Sequence, residues 1–367
     1  MKRYLISGGG TGGHIFPAVS IAQEIQQRDP QAEILFVGAI GRMEMEKIPA
    51  LGYTIIGLPI AGIQRKLSIS NLFLPFKVLK SLWLAVQILT KYKPHVVIGV
   101  GGYASFPVLF AAGLLRYPVL IQEQNSYAGV SNKFISFVAK KICVAYEGMD
   151  RFFPKNKIIL TGNPIRKGLN RLFNAKDEAI KHFGISGTKP VILITGGSLG
   201  ARTLNNSFLK NLEYIKNQNV DILWQTGKLY YDEVRRKVEE SESSNILVLD
   251  FICRMDLAFG IADVIVSRAG AGTISELCIV GKPVILIPSP NVAEDHQTMN
   301  ALALVKKNAA LMVADKEATN SLVSETLGLL ADAKRCELLA SNIKMLSLPN
   351  ASATIVDEIE KLLKIKE

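Results

Sequence analysis

The chain has 367 residues, which is long for a single core and predicts two domains of ordinary size. Its composition, 49% hydrophobic and 20% charged, excludes a disordered protein, and no unbroken apolar run reaches the roughly 18 residues that a membrane span needs. The net charge of +11 is uneven: residues 1–163 carry 18 Lys and Arg against 8 Asp and Glu, whereas residues 164–367 carry 25 against 24. We therefore expect only the first half to meet an anionic surface.

Cysteine usage and the N-terminal residues predict a cytoplasmic protein. The cysteines show no CxxC or zinc-ligand spacing, and each lies in an apolar or helical stretch: Cys143, Cys253, Cys278 and Cys336. They are predicted to be buried free thiols in a reducing compartment. The apolar run at the N-terminus is too short for a signal peptide.

The first predicted unit is a strand, a glycine-rich loop and a helix. Residues 4–7 predict the strand, residues 8–13 form the loop, and the helix continues to about Arg28. The pattern resembles the start of a Rossmann fold, but no acid in residues 39–42 is placed to hold a ribose, which argues against a dinucleotide. His14 ends the loop and is a candidate general base, because imidazole titrates near pH 7. A capping or packing histidine is the alternative.

Residues 63–91 contain an apolar stripe at helical spacing with lysines beside it. The stripe and its lysines are Leu72, Phe73, Phe76, Leu79, Trp83, Lys77 and Lys80. Such a face can dock on anionic lipid head groups without crossing the bilayer. The alternative is a helix that buries the stripe on the sheet and leaves its lysines in solvent.

Alternating strands and helices continue through the first half and predict a parallel sheet with right-handed crossovers. A second glycine turn follows the strand at residues 95–100, and Asn125 follows the strand at residues 119–121. Ligand contacts in such sheets lie at the carboxyl ends of strands, so Asn125 is a candidate binding residue.

The second half repeats the pattern with its own glycine loops. In residues 264–276 an apolar strand leads into a small-residue turn and a helix start, where backbone N–H groups and a helix dipole suit a diphosphate. The candidate binding residues here are Ala271, Gly272, Thr273, Ile274, Ser275 and Glu276. Glu276 is placed to accept hydrogen bonds from a ribose diol, or else it complements the helix dipole.

Polar residues at a later helix start suit a sugar. His296 and Gln297 follow Asp295 after the strand at residues 283–288. Adjacent Asp295 and His296 rarely face one metal ion, and the sequence offers no third ligand, so sugar contact is favoured and no metal is predicted.

Four segments give the chain a resemblance to a known family: GGGTGGH (8–14), GGYASFP (101–107), EQNSYAGVSNK (123–133) and TGNPIR (161–166). Together they are similar to the MurG family of N-acetylglucosaminyltransferases. The resemblance implies an α/β fold of GT-B type, with two Rossmann-like domains whose parallel sheets face each other across a cleft. We expect an acceptor and membrane-docking domain at residues 1–163 and a UDP-sugar domain at 164–349. A final helix at about 350–367 would pack back on the first domain.

The resemblance also implies an activity. The family transfers N-acetylglucosamine (GlcNAc) from UDP-GlcNAc to lipid I, giving lipid II for peptidoglycan. For this chain we expect a direct displacement with inversion, in which the 4-hydroxyl of N-acetylmuramic acid (MurNAc) is the nucleophile. It implies UDP-GlcNAc, lipid I and the anionic inner leaflet as partners, with the protein peripheral on the cytoplasmic face of the membrane. No cofactor, metal or nucleic acid is expected.

Several further site residues follow from the glycine loops or from the resemblance. Those assigned to substrate are Thr11, Gly12, Gly13, Arg166 at the nucleotide, Ser198 at the diphosphate and the Ile252 backbone at the uracil. The chain departs from the family at Gln122, where a histidine is frequent, and at Leu199, where glutamine is frequent. The first departure leaves His14 as the candidate base.

Other functions remain open on the same pattern. A UDP-GlcNAc 2-epimerase or a diacylglycerol glycosyltransferase would use the same architecture, and an epimerase needs no membrane stripe. A non-catalytic UDP-sugar-binding regulator would bind the donor without turnover. A nicotinamide oxidoreductase is disfavoured, because the chain lacks the acid that would hold the ribose of the cofactor after the first βα unit.

Overall fold

The computed structural model describes residues 1–62, 74–165, 176–197 and 199–364. The chain forms two compact units, the first made of Met1–Ile165 with Leu348–Glu367 and the second of Arg166–Ser347. Among the residues described, no helix is long and apolar enough to cross a membrane.

The first unit is built on a seven-stranded parallel sheet of order β3-β2-β1-β4-β5-β6-β7. Its strands are β1 Arg3–Ser7, β2 Glu33–Ala39, β3 Thr54–Leu58, β4 Val96–Gly99, β5 Val119–Glu123, β6 Lys141–Val144 and β7 Ile158–Leu160. Its helices are α1 Gly12–Arg28, α2 Glu44–Ala50, α3 Leu74–Tyr92, α4 Ser105–Leu114, α5 Val130–Ile135 and the final helix, α15 Ala351–Lys364. The strand order reverses direction between β1 and β4, so the crevice beyond their carboxyl ends is the expected ligand position.

Alternation along these strands separates two core layers. Leu5 on β1 and Val97 on β4 belong to the layer covered by α3, α4 and α5. Their neighbours Ile6 and Ile98 belong to the layer covered by α1 and α15. Because successive side chains of a strand point to opposite faces, both faces of the sheet are buried.

The second unit is built on a six-stranded parallel sheet of order β10-β9-β8-β11-β12-β13. Its strands are β8 Val191–Thr195, β9 Asp221–Gln225, β10 Ile246–Leu249, β11 Val264–Ser267, β12 Val284–Leu286 and β13 Leu311–Met312. Its helices are α6 Lys176–Phe183, α7 Arg202–Lys210, α8 Leu212–Lys216, α9 Tyr231–Glu240, α10 Met255–Ile261, α11 Ala271–Val280, α12 His296–Val305, α13 Asp315–Ala331 and α14 Ala333–Met345. The direction reverses between β8 and β11, which identifies a second crevice.

The final helix packs on α1 within the first unit. Ile355 and Ile359 are fully buried in the layer that α1 also covers. Arg28 Nη1 lies 2.6 Å from Asp357 Oδ1, and its Nη2 donates to the carbonyl of Ala353 at 3.0 Å. The last described segment therefore completes the core of the first unit.

One expectation about the cysteines is wrong. Cys143 and Cys278 are buried, and burial raises the pKa of each thiol to about 12. Cys336 is half-buried, and burial raises its pKa as well. Cys253 is exposed because it lies in the loop after β10 and not in an apolar element.

Candidate active site

The first glycine loop presents His14 in the first turn of α1. The backbone N–H groups of His14 and Ile15 donate to the carbonyl of Thr11, at 3.1 and 3.2 Å. Thr11 Oγ1 lies 3.1 Å from His14 Nδ1. The half-buried imidazole is therefore held at the carboxyl end of β1, at the point where the strand order reverses.

The second glycine turn, after β4, lies against the first loop. A side chain at Gly102 would place its Cβ 2.3 Å from the carbonyl oxygen of Gly9, and φ there is +81°. At Gly101 the same atom would lie 3.1 Å from His14 Nε2. Only glycine allows this approach, so the turn fixes one side of the imidazole.

Asn125 is held by Glu123, the last residue of β5, which lies two residues before it. Glu123 is buried, and its Oε1 accepts from the backbone N–H of Asn125 at 3.0 Å. Its Oε2 accepts from Gly129 N–H at 3.0 Å and from Asn132 Nδ2 at 2.9 Å. Burial raises the pKa of Glu123, and these donors partly oppose the rise. The carboxylate thereby shapes the loop that carries Asn125 at the end of β5.

The position of Gln122, where the family frequently has histidine, is internal. Gln122 is fully buried, and its Nε2 donates to Asn163 Oδ1 at 2.9 Å. Asn163 Nδ2 in turn donates to the carbonyl of Gln124 at 3.0 Å. These buried amides satisfy one another, so Gln122 has a structural role and joins the end of β5 to the segment after β7.

Two residues near the first loop, Glu44 and Tyr103, were not predicted from the sequence to have a role. Glu44 is buried and accepts from the backbone N–H of Gly10 at 2.9 Å and of Ala39 at 3.0 Å. The ring of Tyr103 lies against Gly10, where a Cβ would meet its Cε1 at 3.2 Å. An acid in the first turn of a helix usually complements the dipole, so no local pattern predicts that Glu44 turns inward.

In the second unit, the loop after β8 lies against the turn after β9. A Cβ at Gly200 would lie 2.0 Å from the carbonyl oxygen of Thr226, and φ of Gly200 is +75°. Leu199, where relatives frequently have glutamine, is 79% exposed. Ser198 and Arg166 lie outside the described residues, so their predicted roles stay predictions.

The backbone of Ile252, which is predicted to contact uracil, already makes one hydrogen bond within the protein. The backbone N–H of Ile252 donates to Gln225 Oε1 at 3.1 Å, and Gln225 Nε2 donates to the carbonyl of Gly197 at 2.9 Å. Gln225 therefore ties the β8 loop to the segment after β10. Because the N–H of Ile252 is already hydrogen-bonded, its carbonyl is the backbone group that remains to contact the uracil.

Helix α11 begins at Ala271, which places all six candidate residues in its first two turns. Ile274 N–H donates to the carbonyl of Gly270 at 2.9 Å, and Ser275 Oγ donates to that of Ala271 at 3.0 Å. Ile274 is buried and its N–H is bonded within the helix, whereas Gly272 is exposed. Glu276, the sixth residue of the helix, is half-buried. A helix start beside the reversal at β11 suits a diphosphate.

Arg268, directly after β11, had no predicted role and supports the crevice. Its Nη1 donates to the carbonyls of Ile287 at 3.1 Å and Pro288 at 3.2 Å, and it pairs with Asp315. The arginine therefore holds together the ends of β11 and β12 beside the start of α11.

The start of α12 has unusual backbone geometry. Glu294 and Asp295 both have positive φ, +54° and +50°, which costs non-glycine residues conformational energy. Gln297 Oε1 accepts from Ser289 N–H at 2.8 Å, and His296 is half-buried. Within the ranges that the structure describes, no group of three or more His, Cys, Asp or Glu could hold a metal ion.

The apolar stripe on α3 is exposed where it is described. Phe76, Leu79 and Trp83 are 69%, 64% and 59% exposed, and the lysines at 77 and 80 are exposed beside them. The opposite side of the helix buries Ala85 in the core. The alternative of a stripe buried on the sheet is therefore wrong for these three side chains. Leu72 and Phe73 lie outside the described residues.

Comparison with known proteins agrees with this architecture. Residues 4–144 match the N-terminal domain model of glycosyltransferase family 28, and residues 191–356 match its C-terminal domain model. The chain is 54% identical over 98% of its length to a Phocaeicola vulgatus protein, of which 96% is covered. It is 51% identical to a Parabacteroides distasonis protein, with both chains covered completely. Both are named UDP-N-acetylglucosamine--N-acetylmuramyl-(pentapeptide) pyrophosphoryl-undecaprenol N-acetylglucosamine transferase.

Solved structures show the same fold. The crystal structure of Acinetobacter baumannii MurG matches with a TM-score of 0.80 at 30% identity, covering 98% of this chain and 100% of that one. A UDP-GlcNAc 2-epimerase from Neisseria meningitidis matches with a TM-score of 0.66 at 18% identity, covering 98% and 100%, which shows the fold alone.

The two parallel-sheet units and these matches define an enzyme of the nucleotide-sugar glycosyltransferase class with a GT-B-type fold. Within that class, the chain belongs to glycosyltransferase family 28.

Proposed function

We propose that this chain transfers GlcNAc from UDP-GlcNAc to the 4-hydroxyl of MurNAc in lipid I, with inversion, and so makes lipid II for peptidoglycan. The observation that carries the proposal is the position of His14. It stands at the reversal point of the first sheet, in a chain whose full-length relatives are named as this transferase.

The donor is assigned to the second unit. The start of α11 and the loop after β8 offer backbone N–H groups and a helix dipole to the diphosphate, with Ser198 and Arg166 as side-chain ligands. Glu276 accepts hydrogen bonds from the ribose, Ile252 contacts the uracil, and His296 and Gln297 contact the sugar. The helix start and Ser198 stabilise the negative charge that develops on UDP as it leaves.

The acceptor and the base are assigned to the first unit, with Thr11, Gly12, Gly13 and Asn125 orienting the acceptor. The acceptor 4-hydroxyl oxygen attacks the anomeric carbon of GlcNAc as the bond from that carbon to the UDP oxygen breaks. The hydroxyl proton passes to His14, whose Nδ1 lies beside the Thr11 hydroxyl at 3.1 Å. One displacement inverts the anomeric centre.

The test is a turnover assay with radiolabelled UDP-GlcNAc and a lipid I analogue, beside a control without acceptor. Label should enter the lipid fraction only when acceptor is present. Label that stays in the nucleotide pool would contradict the proposal, and conversion to an epimer there would identify a 2-epimerase.

The transfer is proposed to need no metal ion. Helix starts and side chains take the place of a divalent cation at the diphosphate, because the sequence offers no acidic pair at a strand end. Turnover should therefore persist in excess chelator. Loss of turnover that a divalent ion restores would show that a metal takes part.

The protein is proposed to work as a peripheral protein on the cytoplasmic face of the membrane. The α3 stripe and its lysines support this assignment. Further support comes from Phe134 and Phe137, which are 62% and 79% exposed at α5 and just after it; α5 covers the same core layer as α3. Apolar side chains with neighbouring cations are typical of surfaces that enter the head-group region of anionic lipid.

A further inference from the structure

The first glycine loop already has an anion bound to it, and that anion belongs to the protein. Glu44, the first residue of α2, is 1% exposed. Its Oε2 accepts from Gly10 N–H at 2.9 Å and its Oε1 from Ala39 N–H at 3.0 Å. One carboxylate therefore bridges the loop after β1 and the end of β2.

Two glycines make room for this side chain. A Cβ at Gly9 would lie 2.2 Å from Glu44 Oε1, and a Cβ at Gly38 would lie 2.5 Å from Glu44 Cγ. Neither distance is possible between real atoms without a shift of the side chain. The local sequence is therefore compatible with Glu44 turned inward under the loop.

The Glu44 bridge is connected to the proposed base, His14, through Gly10 and Thr11. Gly10 has φ of +90° and precedes Thr11, whose carbonyl accepts the His14 N–H and whose hydroxyl lies 3.1 Å from His14 Nδ1. A shift of the Gly10 peptide moves Thr11 and, with it, the imidazole.

We propose that Glu44 is a positioning residue, an internal anion that fixes the first glycine loop and orients His14. A glycine loop between a strand and a helix commonly receives the phosphate of a nucleotide. Here the Gly10 donor is taken by a carboxylate, so a nucleotide diphosphate gains no bond from it and meets a like charge. The loop therefore orients the base, and the donor diphosphate is left to the second unit. This inference rests on the proposed transferase reaction.

Glu44→Gln tests the bridge with almost no change in side-chain volume. A glutamine offers one oxygen and one NH₂ group, so in either orientation its NH₂ faces a backbone N–H, and one of the two bonds is lost. Glu44→Asp keeps the charge but is too short to span both donors. Glu46→Gln is the matched control, because Glu46 lies exposed on the same helix.

We expect both Glu44 variants to lower kcat roughly 10- to 100-fold, the size expected when a reacting group is displaced by about 1 Å. The KM for UDP-GlcNAc should stay at the wild-type value, and Glu46→Gln should behave as wild type. An unchanged kcat would overturn the proposal. So would a raised KM for UDP-GlcNAc at normal kcat, because Glu44 would then belong to the donor site.

A second measurement does not depend on the reaction. The imidazole ¹H–¹⁵N signals of His14, assigned with His14→Ala, should shift in both Glu44 variants and not in Glu46→Gln. Absence of transfer in the wild type would contradict the proposed function alone, whereas unmoved His14 signals would overturn the role of Glu44. If neither Glu44 variant folds, the carboxylate is needed for the fold itself and the positioning role is also overturned.

Discussion

At the residue scale, the proposed chemistry depends on one imidazole. Thr11 and the Gly101 backbone hold His14 on two sides, at the carboxyl end of β1. A base in that position accelerates the attack of the acceptor hydroxyl and leaves the affinity for the nucleotide donor unaffected, because the donor is assigned to the other unit.

His14→Ala should therefore lower kcat by about 10²–10⁴-fold while the KM for UDP-GlcNAc stays nearly constant. Steady-state kinetics with both substrates measures the two parameters. His182→Ala is the matched control, since His182 is exposed on α6. Near-normal turnover of the His14 variant would assign the proton to another group.

The roles of some of these residues could be predicted from the sequence, and the roles of others could not. His14 and Asn125 were predictable because a glycine motif or a strand end marks them. Glu44, Gln225 and Arg268 were not, because each acts by reaching a backbone group far along the chain. Only the packed sheet brings those groups together, so no local pattern predicts them.

At the element scale, α3 has both a buried apolar side and an exposed apolar side, and the sequence alone did not decide between a buried and an exposed stripe. One side buries Ala85 and Leu89, and the other exposes Phe76, Leu79 and Trp83. Periodicity predicts that a helix has an apolar side but not that it has two. The strand and helix order was predictable from alternation, whereas the strand order in each sheet needed the structure.

Phe76→Ser combined with Trp83→Ser should weaken binding to anionic vesicles by about tenfold or more. Each large side chain loses burial in the interface, and about 1.4 kcal/mol corresponds to a factor of ten. Co-sedimentation with vesicles of anionic and of zwitterionic lipid measures the effect. High salt should also weaken binding of the wild type to anionic vesicles, because it screens the charges of Lys77 and Lys80.

Leu229→Ser is the control for this surface, because Leu229 is 80% exposed in the second unit. Transfer to a soluble, short-chain acceptor should be the same in all these proteins. Equal vesicle binding by the α3 variant and the control would remove α3 from the membrane surface.

At the scale of the whole molecule, the first unit is discontinuous in sequence. Its sheet comes from residues before Ile165, and α15 returns after the second unit to cover one face of that sheet. Sequence periodicity predicted the amphipathic helix. The depth of its burial, with Ile355 and Ile359 at 0% exposure, became visible only in the packed layer.

Ile359→Ala should destabilise the first unit by about 2–5 kcal/mol, the usual cost of such a truncation in a core. Hydrogen–deuterium exchange should become faster in peptides from β1 and β4 and stay unchanged in peptides from β8. Lys364→Ala, at an exposed position of the same helix, is the control. Equal acceleration in both units would show that they unfold together.

The return of α15 also sets an order of events during synthesis on the ribosome. The strands of the first unit emerge first, but Ile355 and Ile359 emerge only after every residue of the second unit has been translated. Until then the nascent first unit has one apolar face of its sheet incompletely covered, beside α1. A chain stalled before α15 would therefore expose that face to chaperones, while its second unit would already have all of its residues.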